Sequence, residues 1–463
     1  MTLPAISSNT LLLPIYNGLR ARNFFLTDLY PELLSQGMRL VILVPPHKIE
    51  YYRAVHAHPQ VIFEEWNPAA EHWFGRLLNS FAFNALGTGT VKQKQYAVYV
   101  RDKKFVKFLL RRYIAVLCGG VVWIRKLIRA LDRLVPADHG LAAMLKKYNP
   151  SAVLAPDIIL PTDRVLLRTA KRLGYKTIGM VRSWDNLTAK GVIQVMPDWL
   201  IAQTTQMKKE AILLGDMKPE NIIVCGVAQF DEYFKPATHT REQFLDSLKI
   251  PHDRRLVLCA PFFGEYSQKS GLMLVEALAK AIDDGRLPQN THLLVRYRPE
   301  DGTAEGAPTR FSHSHITATL PYSKSFTTPR GKKDYEFARE DVELMVNSLR
   351  YSDVTLNTIS TLTVDAVALD KPVVNIRFDI DPNTPPGSRV ELYAHFDHYK
   401  ALEATGGITL TNSFNELVEA INVYLANPAK HAEGRAKIRR EQIEFEDAGS
   451  GKRSAEAIAK LLN

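Results

Sequence analysis

The stretch from Met180 to Gly191, "MVRSWDNLTAKG", places many chemically versatile side chains directly after an apolar run. These side chains are Arg182, Ser183, Trp184, Asp185, Asn186, Thr188 and Lys190. Asp185 is suited to accept a proton from a substrate hydroxyl, whereas Arg182 and Lys190 are suited to bind a phosphate or an acidic sugar. Asn186 can orient a hydroxyl group. A structural turn also uses such residues, but seven polar or aromatic side chains in nine positions exceed what a turn needs.

A second group of candidates lies in "NTISTLTVDAVALDKPVV", Asn357 to Val374. Ser360 and Thr361 fall at the predicted start of a helix that follows a strand, where unpaired backbone N–H groups and the helix dipole favour an anion. If phosphates bind there, Asp365 is placed to hold a pair of ribose hydroxyls. The alternative is ordinary N-capping by Ser360 or Thr361, with Asp365 in solvent.

Two basic clusters follow other predicted strands. Arg296 and Arg298 alternate at the end of "THLLVRYRP", so they share one face of the strand and suit bidentate phosphate contacts. They could equally be surface arginines. The first predicted strand–helix turn contains the polar group Asn17, Gly18, Arg20, Arg22 and Asn23. Acceptor binding and simple helix initiation are both open for this group.

The sequence gives no support for a nucleotide-binding glycine motif or a metal centre. No GxGxxG or Walker-type loop is present, and the thirteen histidines include no HExxH. The three cysteines, Cys118, Cys225 and Cys259, match no metal-ligand spacing and indicate a reducing compartment. The N-terminal residues show no secretion-signal pattern. We therefore expect a cytoplasmic protein, either free or peripheral at the inner face of the cell membrane. We expect it to use neither a metal nor a bound cofactor.

Apolar strands and amphipathic helices alternate along most of the chain. Continuous apolar runs such as "TLLLPIY" and "MRLVILVPP" are typical of strands buried on both faces. "ARNFFLTDLYPELLSQG" predicts one helix, and "TDRVLLRTAKRLG" predicts another with Thr162 or Asp163 as its N-cap. The alternation predicts an α/β fold with parallel sheets, whose ligands bind beyond the carboxyl ends of the strands.

We predict two Rossmann-like domains that face a central cleft. Residues 1–232 form the first, with a helical, basic insertion at about 71–147, and residues 233–440 form the second. The linker is placed between Gly226 and Thr240, where periodicity stops and turn-forming residues gather. Residues 441–463 are predicted as a helix that returns to the first domain. The segment from Glu300 to about Glu336 is predicted as a surface loop or a lid.

The positive charge of the chain belongs to its N-terminal third. Residues 1–150 carry 20 Lys and Arg against 9 Asp and Glu, whereas the remainder carries 39 against 40. The densest segment, 101–135, has basic ends around an apolar centre that is too short for the roughly 20 residues of a membrane span. It either lies in the interface of an anionic membrane or forms a helical hairpin packed on its own domain. A basic face that is merely solvated is the further alternative.

The order and spacing of these elements resemble GT-B glycosyltransferases, which have two Rossmann-like domains, a linker and returning C-terminal helices. The segment "YSDVTLNTISTLTVDAVALDKPVV" resembles a block that these enzymes share with UDP-N-acetylglucosamine 2-epimerases and CDP-glycerol glycerophosphotransferases. The segment "TNSFNELVEAINVYLANPAKHAEG" resembles the helical end of bacterial surface-polysaccharide transferases. The similarity of architecture spans nearly the whole chain, and the motifs cover about residues 180–235 and 350–463.

The resemblance implies roles for the residues on the donor side. Ser360 and Thr361 would hold the donor diphosphate, Asp365 would meet the ribose, and Arg296 or Arg298 would neutralise the leaving diphosphate. Such enzymes usually need no metal, because the helix dipole and basic side chains stabilise the departing charge. This sequence departs from the family in that Asp365 stands where most members have Glu, and the turn before it is not rich in glycine.

We therefore expect a glycosyltransferase that moves a sugar from a nucleotide sugar to a bacterial envelope glycan or a lipid-linked acceptor. Asp185, assigned from its position because no family motif supplies a base, would deprotonate the acceptor hydroxyl. The expected acceptor-binding residues are Asn17, Gly18, Arg20, Arg22, Arg182, Ser183, Asn186 and Lys190. The alternatives are a CDP-glycerol-type glycerophosphotransferase, a nucleotide-sugar epimerase and a non-catalytic membrane-associated scaffold. No nucleic-acid partner is expected.

Overall fold

Two parallel sheets and one antiparallel hairpin occur in the computed structural model, which describes residues 9–260, 267–298, 311–329, 331–358 and 360–462. The strands are β1 (Thr10–Pro14), β2 (Arg39–Val44), β3 (Val61–Glu65), β4 (Ala152–Ala155), β5 (Lys176–Met180), β6 (Trp199–Ala202), β7 (Ile222–Val224), β8 (Arg255–Ala260), β9 (Thr291–Arg296), β10 (Ile316–Thr319), β11 (Ser323–Thr327), β12 (Lys333–Phe337), β13 (Val354–Asn357), β14 (Val373–Ile376) and β15 (Thr409–Thr411).

Helices connect these strands. They are α1 (Gly18–Phe25), α2 (Leu29–Ser35), α3 (Ile49–Val55), α4 (Trp73–Ala85), α5 (Gly89–Asp102), α6 (Phe105–Cys118), α7 (Val122–Asp132), α8 (His139–Tyr148), α9 (Pro161–Arg172), α10 (Asn186–Ala189), α11 (Thr205–Leu213), α12 (Asp231–Phe234), α13 (Arg241–Ser247), α14 (Ser267–Asp283), α15 (Arg339–Tyr351), α16 (Leu362–Ala368), α17 (Asp397–Glu403), α18 (Phe414–Ala426), α19 (Ala432–Gln442) and α20 (Ser450–Leu462). Short 3-10 turns lie at Pro46–Lys48, Pro219–Asn221, Ala228–Phe230, Pro386–Ser388 and Val390–Leu392.

Both parallel sheets are doubly wound. The first has the order β3-β2-β1-β4-β5-β6-β7, and the second has the order β10-β9-β8-β13-β14-β15. In each sheet the strand order therefore changes direction once, between β1 and β4 in the first and between β8 and β13 in the second. Leu11 and Leu13 enter one core cluster while Leu12 enters another, which shows that β1 is buried on both faces. Continuous apolar runs are required in such strands. These observations confirm the predicted α/β fold with two Rossmann-like halves.

Two predicted details of the helices are wrong. The helix predicted across "ARNFFLTDLYPELLSQG" is divided into α1 and α2, because Pro31 lacks a backbone N–H and is accommodated in the first turn of a new helix. The helix α9 begins at Pro161 with Leu160 as its N-cap, so neither Thr162 nor Asp163 caps it. Proline is favoured at this first helical position, and Asp163 is instead buried inside the first turn.

The prediction of a loop or lid from Glu300 to about Glu336 is wrong for its described part. The strand β10 pairs with β9 at the edge of the second sheet, and β11 and β12 form the hairpin. The sequences of β10 and β11, "ITAT" and "SKSFT", are polar edge-type strands without a clear apolar alternation, so they give only a weak strand signal. Residues 300–310 and 330 lie outside the described residues.

The hairpin of the second domain packs against the first domain. The side chain of Lys48 is fully buried there, and its ammonium donates to Glu336 at 2.6 Å and also pairs with Asp334. Tyr52 donates to the same Glu336 carboxylate at 2.6 Å. Burial raises the pKa of Glu336, and the charge of Lys48 opposes that rise. A buried ammonium is tolerated only with such partners. Movement of the hairpin away from the first domain would therefore leave the charge of Lys48 without its partners.

The last two helices pack on different domains. Ile438 of α19 lies in a core cluster of the second sheet, whereas Ile458 of α20 lies in a core cluster of the first. The Asp231 carboxylate accepts the backbone N–H groups of Ser450 and Gly451 at 3.0 and 2.7 Å. A carboxylate at a helix N-terminus satisfies unpaired donors and complements the helix dipole. The linker residue Asp231 therefore fixes the point where the chain returns to the first domain.

Five helices, α4 to α8, lie between β3 and β4 and form the predicted helical insertion. Buried ion pairs attach them to the first domain. Arg168 of α9 makes two bonds to Asp132 of α7, at 2.9 and 2.7 Å. Within the described ranges, every helix is too short or too polar to traverse a bilayer.

The contact between α1 and the hairpin can be tested at Gly18. A Cβ added there would overlap the backbone carbonyl of Tyr335, so Gly18→Ala should destabilise the protein by about 1–3 kcal/mol, which is typical of overpacking. Gly140→Ala is the matched control, since a Cβ there makes only an ordinary contact in α8 and should be neutral or slightly stabilising. Urea unfolding measures both variants. Equal stability of the two would contradict the close approach.

Candidate functional site in the cleft between the domains

Two adjoining cavities, each of about 260 Å³, lie where the two domains face each other. The C-side cavity contains Arg296, Arg298 and Ser360 in its wall, and the N-side cavity contains Asp185 and Lys190. Four residues line both cavities: Arg22, Gln229, Thr361 and Asp365. The lining residues follow β1, β5, β7, β9 and β13 in the chain. This is the position where doubly wound sheets bind ligands.

The loop after β13 brings Ser360 and Thr361 into the wall of the C-side cavity. The Ser360 hydroxyl accepts the backbone N–H of Leu362 at 3.3 Å, which is the helix-capping interaction weighed from the sequence. Thr361 occupies the N-cap position of α16 without a side-chain capping bond, and its side chain is exposed. The Thr361 hydroxyl therefore faces the cleft, whereas the backbone N–H groups of residues 362–365 already have acceptors within the turn.

Arg296 is held in place by a buried carboxylate. Its Nη2 donates to Asp341 at 2.8 Å, and both side chains are largely buried. The Nη1 of Arg296 is also buried and has no hydrogen-bond partner among the described residues. An unsatisfied guanidinium N–H is costly unless a ligand accepts from it. Arg298 lines the same cavity from the next outward-facing position.

Asp365 lies at the junction of the two cavities. The Tyr233 hydroxyl donates to its carboxylate at 2.7 Å. Burial raises the pKa of Asp365 to about 6, although the Tyr233 hydrogen bond and the positive charge of Arg22 act in the opposite direction. Burial also raises the pKa of Tyr233, so the phenol remains a donor. One carboxylate oxygen of Asp365 thus has a fixed partner, and the other is available to the cleft.

Arg22 is the basic side chain that reaches both cavities. Its guanidinium donates to Asn23 at 3.1 and 3.2 Å and to Gln229 at 3.4 Å, and it lies 5.5 Å from the centre of the Phe337 ring. These are neutral partners. Because the charge of Arg22 is not compensated by a carboxylate in these contacts, it is suited to an anionic ligand.

The N-side cavity is built around the segment that follows β5. Ser183 donates to the Asp185 carboxylate at 2.6 Å, which orients that carboxylate. The Trp184 ring makes an edge contact with the His398 ring, with centroids 4.9 Å apart. Burial lowers the pKa of His398 to about 4, although the Asp185 charge opposes this. Burial and the charge of Lys190 lower the pKa of Lys94 to about 8.

Several buried polar atoms around Asp185 have no protein partner in the described residues. These are Nδ2 of Asn186, Nε1 of Trp184 and Nδ1 of His398. Asn186 is only 1% exposed and yet lines the N-side cavity. Buried polar groups are normally hydrogen-bonded, so a cluster of unsatisfied ones beside a cavity is typical of a site that binds a polar ligand.

Three of the predicted acceptor-binding residues do not reach the two cavities. Asn17 is the N-cap of α1 and accepts the backbone N–H of Arg20 at 3.1 Å. Gly18 is buried against the hairpin. Arg20 is buried and pairs with Asp163 at 2.6 Å. Helix initiation, the alternative weighed from the sequence, is what Asn17 does, and a role of these three residues in acceptor binding stays a prediction.

The remaining predicted acceptor-binding residues line the N-side cavity but differ in their interaction partners. Arg182 lines the N-side cavity but also lies 3.5 Å from the buried Asp157 carboxylate, which limits its reach. Ser183, Asn186 and Lys190 all line the same cavity. Lys190 is exposed and has no ion-pair partner among the described side chains.

Sequence reasoning does not identify four residues that matter here: Gln229, Tyr233, Lys94 and His398. Gln229 and Tyr233 lie in the predicted linker, where the absence of periodicity directs attention away from them. The position of the linker could have identified them, because a linker between two facing domains must pass the cleft. Lys94 and His398 lie on α5 and α17, and only tertiary packing brings these helices against the segment that follows β5.

A search for metal ligands gives no site in the described part of the chain, since no three His, Cys, Asp or Glu side chains converge there.

Comparison with solved structures finds the same fold at low sequence identity. A structure of S. aureus MnaA with UDP has a TM-score of 0.56 at 12% identity, covering 98% of this chain and 97% of that one. UDP-GlcNAc 2-epimerase from Neisseria meningitidis bound to UDP-GlcNAc has a TM-score of 0.54 at 13% identity, covering 97% and 100%. The glycotransferase of kitacinnamycin has a TM-score of 0.50 at 12% identity, covering 98% and 99%. No protein-family model and no curated protein matches the sequence.

These similarities concern the fold. They confirm the two-domain architecture of the GT-B type that the sequence predicts.

The raised pKa of Asp365 predicts a pH-dependent stability. Its folded pKa of about 6 lies above the ordinary value of 3.8, so the folded state binds a proton more tightly and stability falls as the pH rises from about 4 to about 6. Asp365→Asn should remove the part of this fall that Asp365 contributes, which is at most about 3 kcal/mol. The buried Asp163, whose pKa is also raised to about 6, contributes a separate part that the variant retains. Tyr233→Phe removes a bond that stabilises the carboxylate, so it should extend the fall above pH 6.

Urea unfolding of the wild type and both variants across this pH range measures the effect. Parallel pH profiles of the wild type and Asp365→Asn would contradict the assignment.

Proposed function

We propose that this protein is a glycosyltransferase that moves a sugar from a nucleotide sugar to a hydroxyl of an envelope glycan or a lipid-linked acceptor. The observation that carries the proposal is the junction of the two cavities, where basic and helix-start groups on one side meet the Asp185 carboxylate on the other. The free cysteines fit a cytoplasmic, reducing compartment.

The C-side cavity is proposed to bind the nucleotide diphosphate. The Thr361 hydroxyl and the unsatisfied N–H of Arg296 would contact phosphate oxygens. The oxygen of Asp365 that Tyr233 leaves available would accept a ribose hydroxyl. Arg22 would stabilise the charge that develops on the leaving diphosphate from the junction of the cavities.

The N-side cavity is proposed to bind the acceptor. Asn186 and Trp184, which line this cavity, would offer polar atoms without protein partners to the hydroxyl groups of the acceptor. Asp185, oriented by Ser183, would take the proton of the reacting hydroxyl. The hydroxyl oxygen then bonds to the anomeric carbon while the bond from that carbon to the diphosphate oxygen breaks. The products are the glycosylated acceptor and the nucleotide diphosphate.

Thermal shift against UDP-, GDP-, CDP- and CMP-linked compounds tests the proposal first. Binding of a ligand to the folded state raises the melting temperature, so the preferred base ranks the donors. A CDP-glycerol preference would indicate a glycerophosphotransferase, and conversion of a nucleotide sugar without an acceptor would indicate an epimerase. The absence of any shift would favour a scaffold and contradict the proposal.

Asp185→Asn should retain donor binding and lose turnover by about 100-fold or more, as expected when a general base is removed. Thermal shift measures binding, and release of the nucleotide diphosphate measures turnover. Asp284→Asn is the matched control, since this exposed carboxylate pairs only with Lys280 on the surface in the described structure and should leave both unchanged. Near-normal turnover in Asp185→Asn would remove the assignment of Asp185.

A further inference from the structure

The exposed apolar side chains of this protein are concentrated on the helical insertion. Of the 21 large apolar residues that are exposed among the described residues, 15 lie between Trp73 and Leu134. Single exposed apolar residues are ordinary, but a contiguous group of this size marks an interaction surface. We call the exposed faces of α6 and α7, together with Trp73 and Leu77 of α4, the insertion face.

The helix α6 exposes most of its large apolar side chains, although Ile114 packs against the core of the insertion. Ala115 is the only residue of α6 that is buried. Val106, Leu110, Tyr113 and Val116 are each at least 60% exposed. On the opposite side, the guanidinium of Arg112 donates to the backbone carbonyl of Lys92 in α5 at 3.0 Å. A surface helix of a soluble domain normally buries its apolar stripe and exposes its charges.

The helix α7 also exposes large apolar side chains. Its buried residues are Arg125, Ile128 and Asp132, whereas Trp123 is 79% exposed and Leu127 is 50% exposed. Arg125 and Arg129 both pair with Asp216, at distances of 2.5 and 2.7 Å. These ion pairs fix the orientation of α7, so Trp123 and Leu127 stay on its outer side.

The charge of the insertion face identifies its partner. Of the ten Lys and Arg in residues 101–135, six are exposed, whereas the segment contains only two acidic residues, Asp102 and Asp132. Asp132 is buried in its pair with Arg168, and Asp102 pairs with Arg101. A second copy of such a basic surface would repel the first. An anionic lipid surface offers negative headgroups to the lysines and an apolar interior to the aromatic and aliphatic side chains.

We infer that the insertion face docks the protein on an anionic lipid bilayer, lying in the interface without spanning it. The helix α6 has 14 residues, fewer than the roughly 20 that cross a bilayer. The exposed Trp123 and Tyr113 are suited to the headgroup level, where such amphipathic rings concentrate.

The docked surface is also rigidly connected to the cleft. Gln95 of α5 donates to the backbone carbonyl of Arg111 in α6 at 3.0 Å. On the other side of α5, Lys94 donates to the carbonyl of Ala189 at 2.9 Å, and Thr88 donates to the carbonyl of Thr188 at 2.7 Å. The helix α5 therefore joins the insertion face to the segment that carries Asp185. Docking would fix the position of the cleft relative to the bilayer.

Flotation of the full chain with vesicles tests this inference. The protein should float with vesicles of equal parts phosphatidylglycerol and phosphatidylcholine and stay behind with pure phosphatidylcholine. The double variant Leu110→Glu and Trp123→Glu should lower the floated fraction about tenfold, because carboxylates in the apolar face oppose both burial and the anionic surface. Flotation does not depend on the transfer chemistry, so the proposed function can fail without affecting it.

The matched control is Leu213→Glu, which introduces the same charge at a leucine that is 72% exposed on α11, outside the insertion face. This variant should float like the wild type, and all variants should melt at the same temperature because the substituted side chains are exposed. Failure of the wild type to float, or an equal loss in Leu213→Glu, would overturn the inference. The inference would also be overturned if light scattering showed that the wild type is a dimer and that the double variant is a monomer, and if the wild type did not bind vesicles. That result would indicate that the insertion face binds a second copy of the chain.

Discussion

The burial of the Lys48 ammonium against the hairpin is the contact on which the geometry of the cleft depends. Lys48 belongs to the first domain, and its partners Glu336 and Asp334 belong to the second. Because a buried charge without a partner is strongly destabilising, the two domains are held together at this point. The cleft residues come from both domains, so the distances between residues on opposite sides of the cleft depend on this contact.

The helix α1 links this contact to the chemistry of the cleft. Its first residue, Gly18, packs against the backbone of the hairpin, and Arg22 one turn later lines both cavities. A residue that looks like a helix-initiating glycine thus sets the position of the charge at the cleft junction. The ring of Phe337, at the end of the same hairpin, lies beside the Arg22 guanidinium. The helix α1 therefore carries both a packing contact between the domains and a positive charge that lines the cleft.

The sequence predicts the architecture well because both sheets are built from strands that are buried on both faces. Runs such as Leu11–Leu13 have few alternatives to a central parallel strand. It predicts the strand ends that line the cleft for the same reason. It does not predict β10 and β11, whose polar edge sequences resemble loops. It also does not separate Arg20 from Arg22, since one faces the buried Asp163 and the other faces the cleft. That difference arises from the packing of α9, which no local pattern encodes.

The C-terminal return of the chain has a mechanical consequence. The linker carries Asp231, whose carboxylate binds the first amides of α20, and α20 itself packs on the first sheet. The polypeptide therefore passes between the domains twice at neighbouring points, and the docked hairpin adds a third attachment. A hinge with a single strand of chain can swing in any direction. With these three attachments, relative movement is restricted to small sliding or twisting displacements unless Lys48 first loses its counter-charges.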